Sequence, residues 1–205
     1  MKTNFTNSFT VIVTVFAMLT GAASAATNTL STTELSGLNK LSVSGNVEVC
    51  LVQSDIESLG VYNSAASSTA KITFADDELN ISSFGSEKLS VIVAVTDLSI
   101  IETHGRAVVH TLNTLVLPQL CINLNDSSVA NLDLDVDDLS AITNNSSSLK
   151  ISGTSANQAL KIAGMSKMDA SDFTLDNTYQ LSGRGKLFIN NDGERVAVQN
   201  KSRKG

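Results

Sequence analysis

Three aspartates on alternate positions, Asp133, Asp135 and Asp137, are the densest set of chemistry-bearing side chains in this 205-residue chain. They stand in the run Asn131-Leu132-Asp133-Leu134-Asp135-Val136-Asp137-Asp138. Side chains two apart on a strand share a face, so the carboxylates line one side about 7 Å apart while Leu132, Leu134 and Val136 face the other. Hard oxygen ligands spaced in this way could hold Ca²⁺ with help from a neighbouring strand. An acidic face that keeps a β-structure soluble and blunts edge pairing accounts for the same pattern. The second reading is preferred, because Ser152, Ser171 and Asn190 stand at the equivalent places one, two and three repeats later and supply no second row of carboxylates.

Other constellations are thinner. A polysaccharide lyase needs a base beside its acidic calcium site, and Arg106 and Arg184 fall in turns that need not face the aspartate strand. Glycoside hydrolysis needs two carboxylates about 5 to 9 Å apart, which many Asp pairs in a stacked fold would satisfy. His104 and His110 lie six residues apart, a spacing that matches no metal motif. Nothing resembles a strained nucleophile turn or a glycine-rich phosphate loop. Cys50 and Cys121 sit opposite in phase to their apolar neighbours, and the sequence leaves open a cross-strand disulfide or two free thiols. The residues imply no catalytic group, no cofactor and no enzyme.

What positions these side chains is a repeat. Ser182-Gly183-Arg184-Gly185-Lys186-Leu187, Ala163-Gly164-Met165-Ser166-Lys167-Met168, Asn144-Asn145-Ser146-Ser147-Ser148-Leu149 and Asn125-Asp126-Ser127-Ser128-Val129-Ala130 follow one another at 19-residue steps. A further copy, Thr103-His104-Gly105-Arg106-Ala107-Val108, is aligned with Thr103 in the place of Asn125, a wider step than the others, with the extra length assigned to the loop around Pro118. Apolar residues alternate around each turn, and no stretch after residue 26 has helical periodicity. A unit this short cannot bury its own apolar face and must stack on its neighbours as a solenoid. Leu149 is then expected inside the stack between Ala130 and Met168. Ser128, Ser147 and Ser166 are expected above one another on an exposed polar ladder, as are Asn125 and Asn144. The less regular segment 35–97 is expected to supply the first coils and to cover one open end.

Composition sets the class of partner. The formal net charge of −6 argues against nucleic acid and anionic membrane surfaces, which call for a basic face. Hydrophobic residues make up 42% of the chain, enough for a sizeable core, but aromatics are only 4% and Trp is absent, so no aromatic row offers itself for sugar stacking. Lys2, the apolar run Phe9 to Leu19 and Ala23-Ser24-Ala25 read as a signal peptide over residues 1–25, cleaved between Ala25 and Ala26. That apolar run is short of the roughly 20 residues that span a bilayer, and no later segment reaches that length. The expected organisation is therefore a signal peptide, a flexible N-terminus over 26–34, one β-solenoid domain over 35–195 and a basic C-terminal tail over 196–205.

The turn series, together with the opening Leu41-Ser42-Val43-Ser44-Gly45-Asn46-Val47-Glu48-Val49-Cys50, resembles the bacterial auto-transporter adhesin head domain family, the GIN domain. The likeness extends over about residues 35 to 191. Asp126 and Asn145 replace its turn glycine with residues that also tolerate left-handed backbone, whereas His104 is a larger departure. The resemblance implies an all-β, right-handed parallel β-helix-like solenoid in a secreted or envelope protein, and it implies no particular activity. The resulting expectation is an exported, non-enzymatic, adhesin-like binding module of the bacterial periplasm or cell surface. Its expected partners are glycans or other cell-envelope components, with no membrane span in the mature chain. The alternative is a calcium-dependent polysaccharide-active β-helix enzyme using Asp133, Asp135 and Asp137.

Overall fold

The computed structural model describes residues 31–62, 69–174, 179–182, 184–191 and 194–199. These residues form sixteen β-strands and no α-helix. The strands make one open, curled sheet whose two parts meet at a row of tight corners.

Before the corner lie β6 (Glu78–Ser83), β2 (Lys40–Gly45), β8 (Ile100–Gly105), the second half of β10 (Leu115–Leu124), the second halves of β11 (Val129–Thr143) and β12 (Ser148–Ile162), and β14 (Tyr179–Leu181), all parallel. After the corner lie β7 (Leu89–Val95), β3 (Val47–Gln53), β9 (Val108–Thr111), the first halves of β11 and β12, then β13 (Lys167–Phe173) and β15 (Lys186–Asn191), again parallel. Antiparallel strands finish the edges: β5 (Ala70–Ala75) on β6, β4 (Ser58–Val61) on β7 with β1 (Ser31–Glu34) outside it, and β16 (Glu194–Gln199) on β15. Residues 31–34, expected in a flexible N-terminus, are thus strand β1, and β16 runs through the expected boundary at 195/196.

The step between stacked strands is constant over the regular part and equals the repeat read in the sequence: Leu115 pairs with Leu134, Val129 with Ser148, Ser148 with Lys167, and Lys167 with Lys186. Leu149 lies between Ala130 and Met168, as expected, and all three are buried. The core is the inward half of every alternation, from Leu41 and Val43 on β2 to Ile151, Leu160 and Ile162 on β12.

Two details of the repeat differ from expectation. The Thr103 copy is displaced by one position, since Leu124 pairs with Thr103 and Val129 with Val108, which sets His104 rather than Thr103 against Asn125. Gly105, not His104, therefore occupies the corner position that needs left-handed backbone. Gly45, Gly105, Asp126, Asn145 and Gly164 share it, with φ of 82°, 70°, 60°, 58° and 66°. The two extra residues fall in the bend at Leu112 to Thr114, because beyond it β10 already follows β11 at the regular step. Pro118 lies inside β10, exposed, where the pairing with β11 passes from Leu117 to Gln119; a missing N–H is harmless there.

The serines also differ. Ser128, Ser147 and Ser166 are each fully buried rather than exposed. Ser147 is two residues from Leu149 and so faces the same way. Its hydroxyl donates to the Asn144 carbonyl of its own turn at 2.8 Å and to the Leu124 carbonyl of the strand before at 3.3 Å. Ser166 does the same with Ala163 and Thr143, and the Thr143 hydroxyl lies 3.0 Å from Ser166 Oγ. The asparagines do bond along the stack, Asn144 Nδ2 donating to Asn125 Oδ1 at 3.2 Å. Both carbonyls that meet Ser147 keep backbone N–H partners, from Ser147 and Asn144. Ser147→Ala is accordingly expected to cost about 1 kcal/mol, seen as a small fall in the urea midpoint at unchanged slope; a fall of several kcal/mol would mean the hydroxyl holds the corner together.

Candidate functional site

The acidic strand lies as its alternation requires. Leu132, Leu134 and Val136 are buried, Asp133 is half-buried, and Asp135 and Asp137 are exposed. Asp133 and Asp135 meet hydroxyls in place of a second carboxylate. Asp133 accepts from Thr114 Oγ1 at 2.7 Å and Ser152 Oγ at 3.1 Å, and Asp135 accepts from Thr154 Oγ1 at 2.9 Å. The ladder departs from expectation one strand further on: a register shift between Lys150 and Ser152 brings Asp172, not Ser171, beside Ser152. Asp172 pairs with Lys150 at 3.1 Å. Among the described residues no group of three or more His, Cys, Asp or Glu side chains is arranged to hold a metal ion. Arg106 and Arg184 lie exposed at corners and pair with none of the three aspartates. Ala25 and Ala26 lie outside the described residues.

Cys50 and Cys121 are free thiols, on β3 and β10, which do not pair with each other. The parallel register sets His110 directly beside Cys50, and Cys50 Sγ lies 2.8 Å from His110 Nε2. Glu48, two residues back on the same face, approaches the other ring nitrogen at 4.0 Å and is itself paired with Lys88 at 3.3 Å. The order thiol, imidazole, carboxylate is that of a nucleophilic triad. Burial, with the Glu48 charge second, pushes the Cys50 thiol above its ordinary value, which disfavours the thiolate a nucleophile needs. The backbone of β3 is engaged on both sides by β7 and β9, which leaves no N–H pair for an oxyanion. The constellation is a hydrogen-bonded patch without the rest of an active site. Sequence reading missed it because Cys50 and His110 are far apart along the chain and meet only through the pairing of β3 with β9.

A second charged row crosses the strands before the corner. Lys40 bridges Glu78 and Glu102 at 3.1 and 3.3 Å, and Glu102 also meets His104 at 3.2 Å. The hydrogen bond from His104 holds the Glu102 carboxyl below its usual range, against the opposing effect of burial.

An open groove of about 550 Å³ crosses β8, β10, β11 and β12. It follows the middle of the long strands. One wall is the row Gln119, Asp138, Asn157; the other is Ile100, Cys121, Ser140, Ala159. Between them runs the row Ser99, Leu120, Leu139, Gln158, all buried. Asn39 closes one end, its amide donating to Ser99 Oγ at 2.9 Å. At the other end Gln158 donates from Nε2 to the Thr174 carbonyl at 3.0 Å, while its buried Oε1 has no hydrogen-bond partner among the described residues.

The family model for "Putative auto-transporter adhesin, head GIN domain" matches residues 37–201. No curated protein matches the chain. Among solved structures, a putative adhesin from Bacteroides fragilis superposes with a TM-score of 0.66 at 20% identity, covering 78% of this chain and 79% of that one. A putative adhesin from Parabacteroides distasonis gives 0.58 at 16% identity, covering 78% and 80%. A putative lipid binding protein from the same organism gives 0.57 at 13% identity, covering 78% and 81%. At such identities the likeness is one of fold. Matched along most of its length, the chain belongs to the auto-transporter adhesin head (GIN) domain family.

Proposed function

We propose that the mature chain, residues 26–205, is an exported, non-enzymatic binding module of the bacterial periplasm or cell surface, adhesin-like, whose partners are glycans or other envelope components. The observation that carries this reading is the family match over residues 37–201, which takes in nearly every described strand. Solved relatives named as adhesins or as a lipid binding protein support attachment to envelope material rather than turnover. The signal-like residues 1–25 support export. Among the described residues no helix is long and apolar enough to cross a membrane. The recurrent 19-residue parallel register supports the finer description of the scaffold as a right-handed parallel β-helix-like solenoid with coils of about that length.

The test is a glycan-array and cell-binding screen of residues 26–205 alongside an assay for unsaturated sugar ends released from acidic polysaccharides. Saturable binding without release is expected; release would overturn the reading in favour of the calcium-dependent enzyme. That enzyme would also respond to its ion. A protein that binds Ca²⁺ with a dissociation constant a hundredth of the free concentration gains about 2.7 kcal/mol. With Asp133 and Asp135 already engaged by hydroxyls, millimolar Ca²⁺ is expected to leave the thermal midpoint unchanged, and a rise of several degrees would restore the metal site.

A further inference from the structure

The geometry points to the groove across β8, β10, β11 and β12 as a binding site for a neutral oligosaccharide. This deepens the envelope-binding reading above and rests on it.

The chemistry of the two walls selects the ligand. Gln119, Asp138 and Asn157 form a strip of amides and a carboxylate at intervals of about 4.8 Å, the spacing of neighbouring strands. Amides both donate and accept, as sugar hydroxyls do. Facing them, Ile100, Cys121 and Ala159 give a mainly apolar strip, interrupted by Ser140. A pyranose ring has the same division, with C–H groups on its faces and hydroxyls around its edge. No Lys or Arg lines the groove and Asp138 does, so a phosphate headgroup or a uronate would meet repulsion instead of a counter-charge. An acyl chain would lie against a polar wall in an open trough and keep contact with water, which removes its reason to bind.

The experiment uses residues 26–205 with Cys50→Ser, so that Cys121 in the groove wall is the sole thiol. The probes are an array of neutral hexose and N-acetylhexosamine oligosaccharides, an array of acidic oligosaccharides, and phosphatidylcholine vesicles. A neutral oligosaccharide is expected to bind and to slow alkylation of Cys121 at least fivefold at saturation. Ala159→Trp, which fills the trough from an exposed position, and Asn157→Ala, which strips one wall, are each expected to weaken binding at least tenfold with unchanged circular dichroism. Asp135→Asn, on the separate acidic face, is expected to leave it unchanged. Sugar binding that ignores both groove variants and does not protect Cys121 would overturn the site. Binding only to acidic sugars or vesicles would overturn the ligand class and leave the envelope reading standing. Failure to bind any probe or intact cells would overturn both.

Discussion

Leu149→Asp is expected to abolish soluble folded protein. Leu149 is 1% exposed and pairs with Ala130 on one side and Met168 on the other, both buried. Among the described residues no lysine or arginine is buried to meet a carboxylate, and burying one unpaired costs several kcal/mol against a domain stability of about 5–15 kcal/mol. The loss also propagates, since each strand of the stack is the template for the next. Lys150→Asp is the control. Lys150 is exposed and faces the opposite way, and its ion pair with Asp172 is a surface pair worth at most about 1 kcal/mol. Expression yield, circular dichroism and urea midpoints should therefore separate neighbouring residues sharply. Comparable stability for the two variants would place the strand one residue out of register and exchange every inward and outward assignment on β12.

Gly45→Ala is expected to be strongly damaging for a single added methyl. Gly45 ends β2 at the corner with φ of 82°, and a Cβ there would lie 2.1 Å from the Ser83 carbonyl oxygen on the neighbouring strand. Gly37 separates the two causes. It also has positive φ, at 79°, but its Cβ would meet only the Asp77 side chain at 3.2 Å, which can move aside. Gly37→Ala should therefore show the backbone penalty alone, about 1–2 kcal/mol. Gly45→Ala should exceed it by at least about 2 kcal/mol, because backbone of β6 must give way and a core strained by overpacking loses about 1–3 kcal/mol. Equal urea midpoints would mean that β2 and β6 are not packed as closely as the corner geometry requires.

The parts of this fold that sequence makes legible are those with a local physical cause. Alternation of Leu132, Leu134 and Val136 with three aspartates can be satisfied only by a strand with one wet face, and it is. Asn125 over Asn144 and Leu149 over Met168 follow from a fixed step between similar turns. Partner identity is different, because a period of two says which face is buried and nothing about which strand lies alongside. The β2–β3 rung accordingly stacks between β6–β7 and β8–β9, out of chain order, and this could not be read. The corner serines misled for a related reason. Small polar residues suggest a surface, yet a serine three residues after a carbonyl can satisfy its hydroxyl within its own turn and be buried at little cost. The shift of the Thr103 copy did have a signal, since Gly105 is the residue there best suited to left-handed backbone. The groove had none, because it is made by the course of long strands.

The faces, corners and groove described above exist only if the long strands stack in parallel at a 19-residue step, and one crosslinking measurement tests that directly. With Cys50→Ser and Cys121→Ser as background, Asn131→Cys and Lys150→Cys introduce thiols on exposed, directly paired positions of β11 and β12. A short bis-thiol reagent is expected to join them efficiently within one chain, as read by mass spectrometry of the digested protein. Asn131→Cys with Lys161→Cys, also exposed, is expected to give no intramolecular link, since the second thiol lies on the order of 30 Å further along the strand. An antiparallel hairpin about the Asn144–Ser147 corner would reverse the outcome, and a link from 131 to 161 with none from 131 to 150 would contradict the stack.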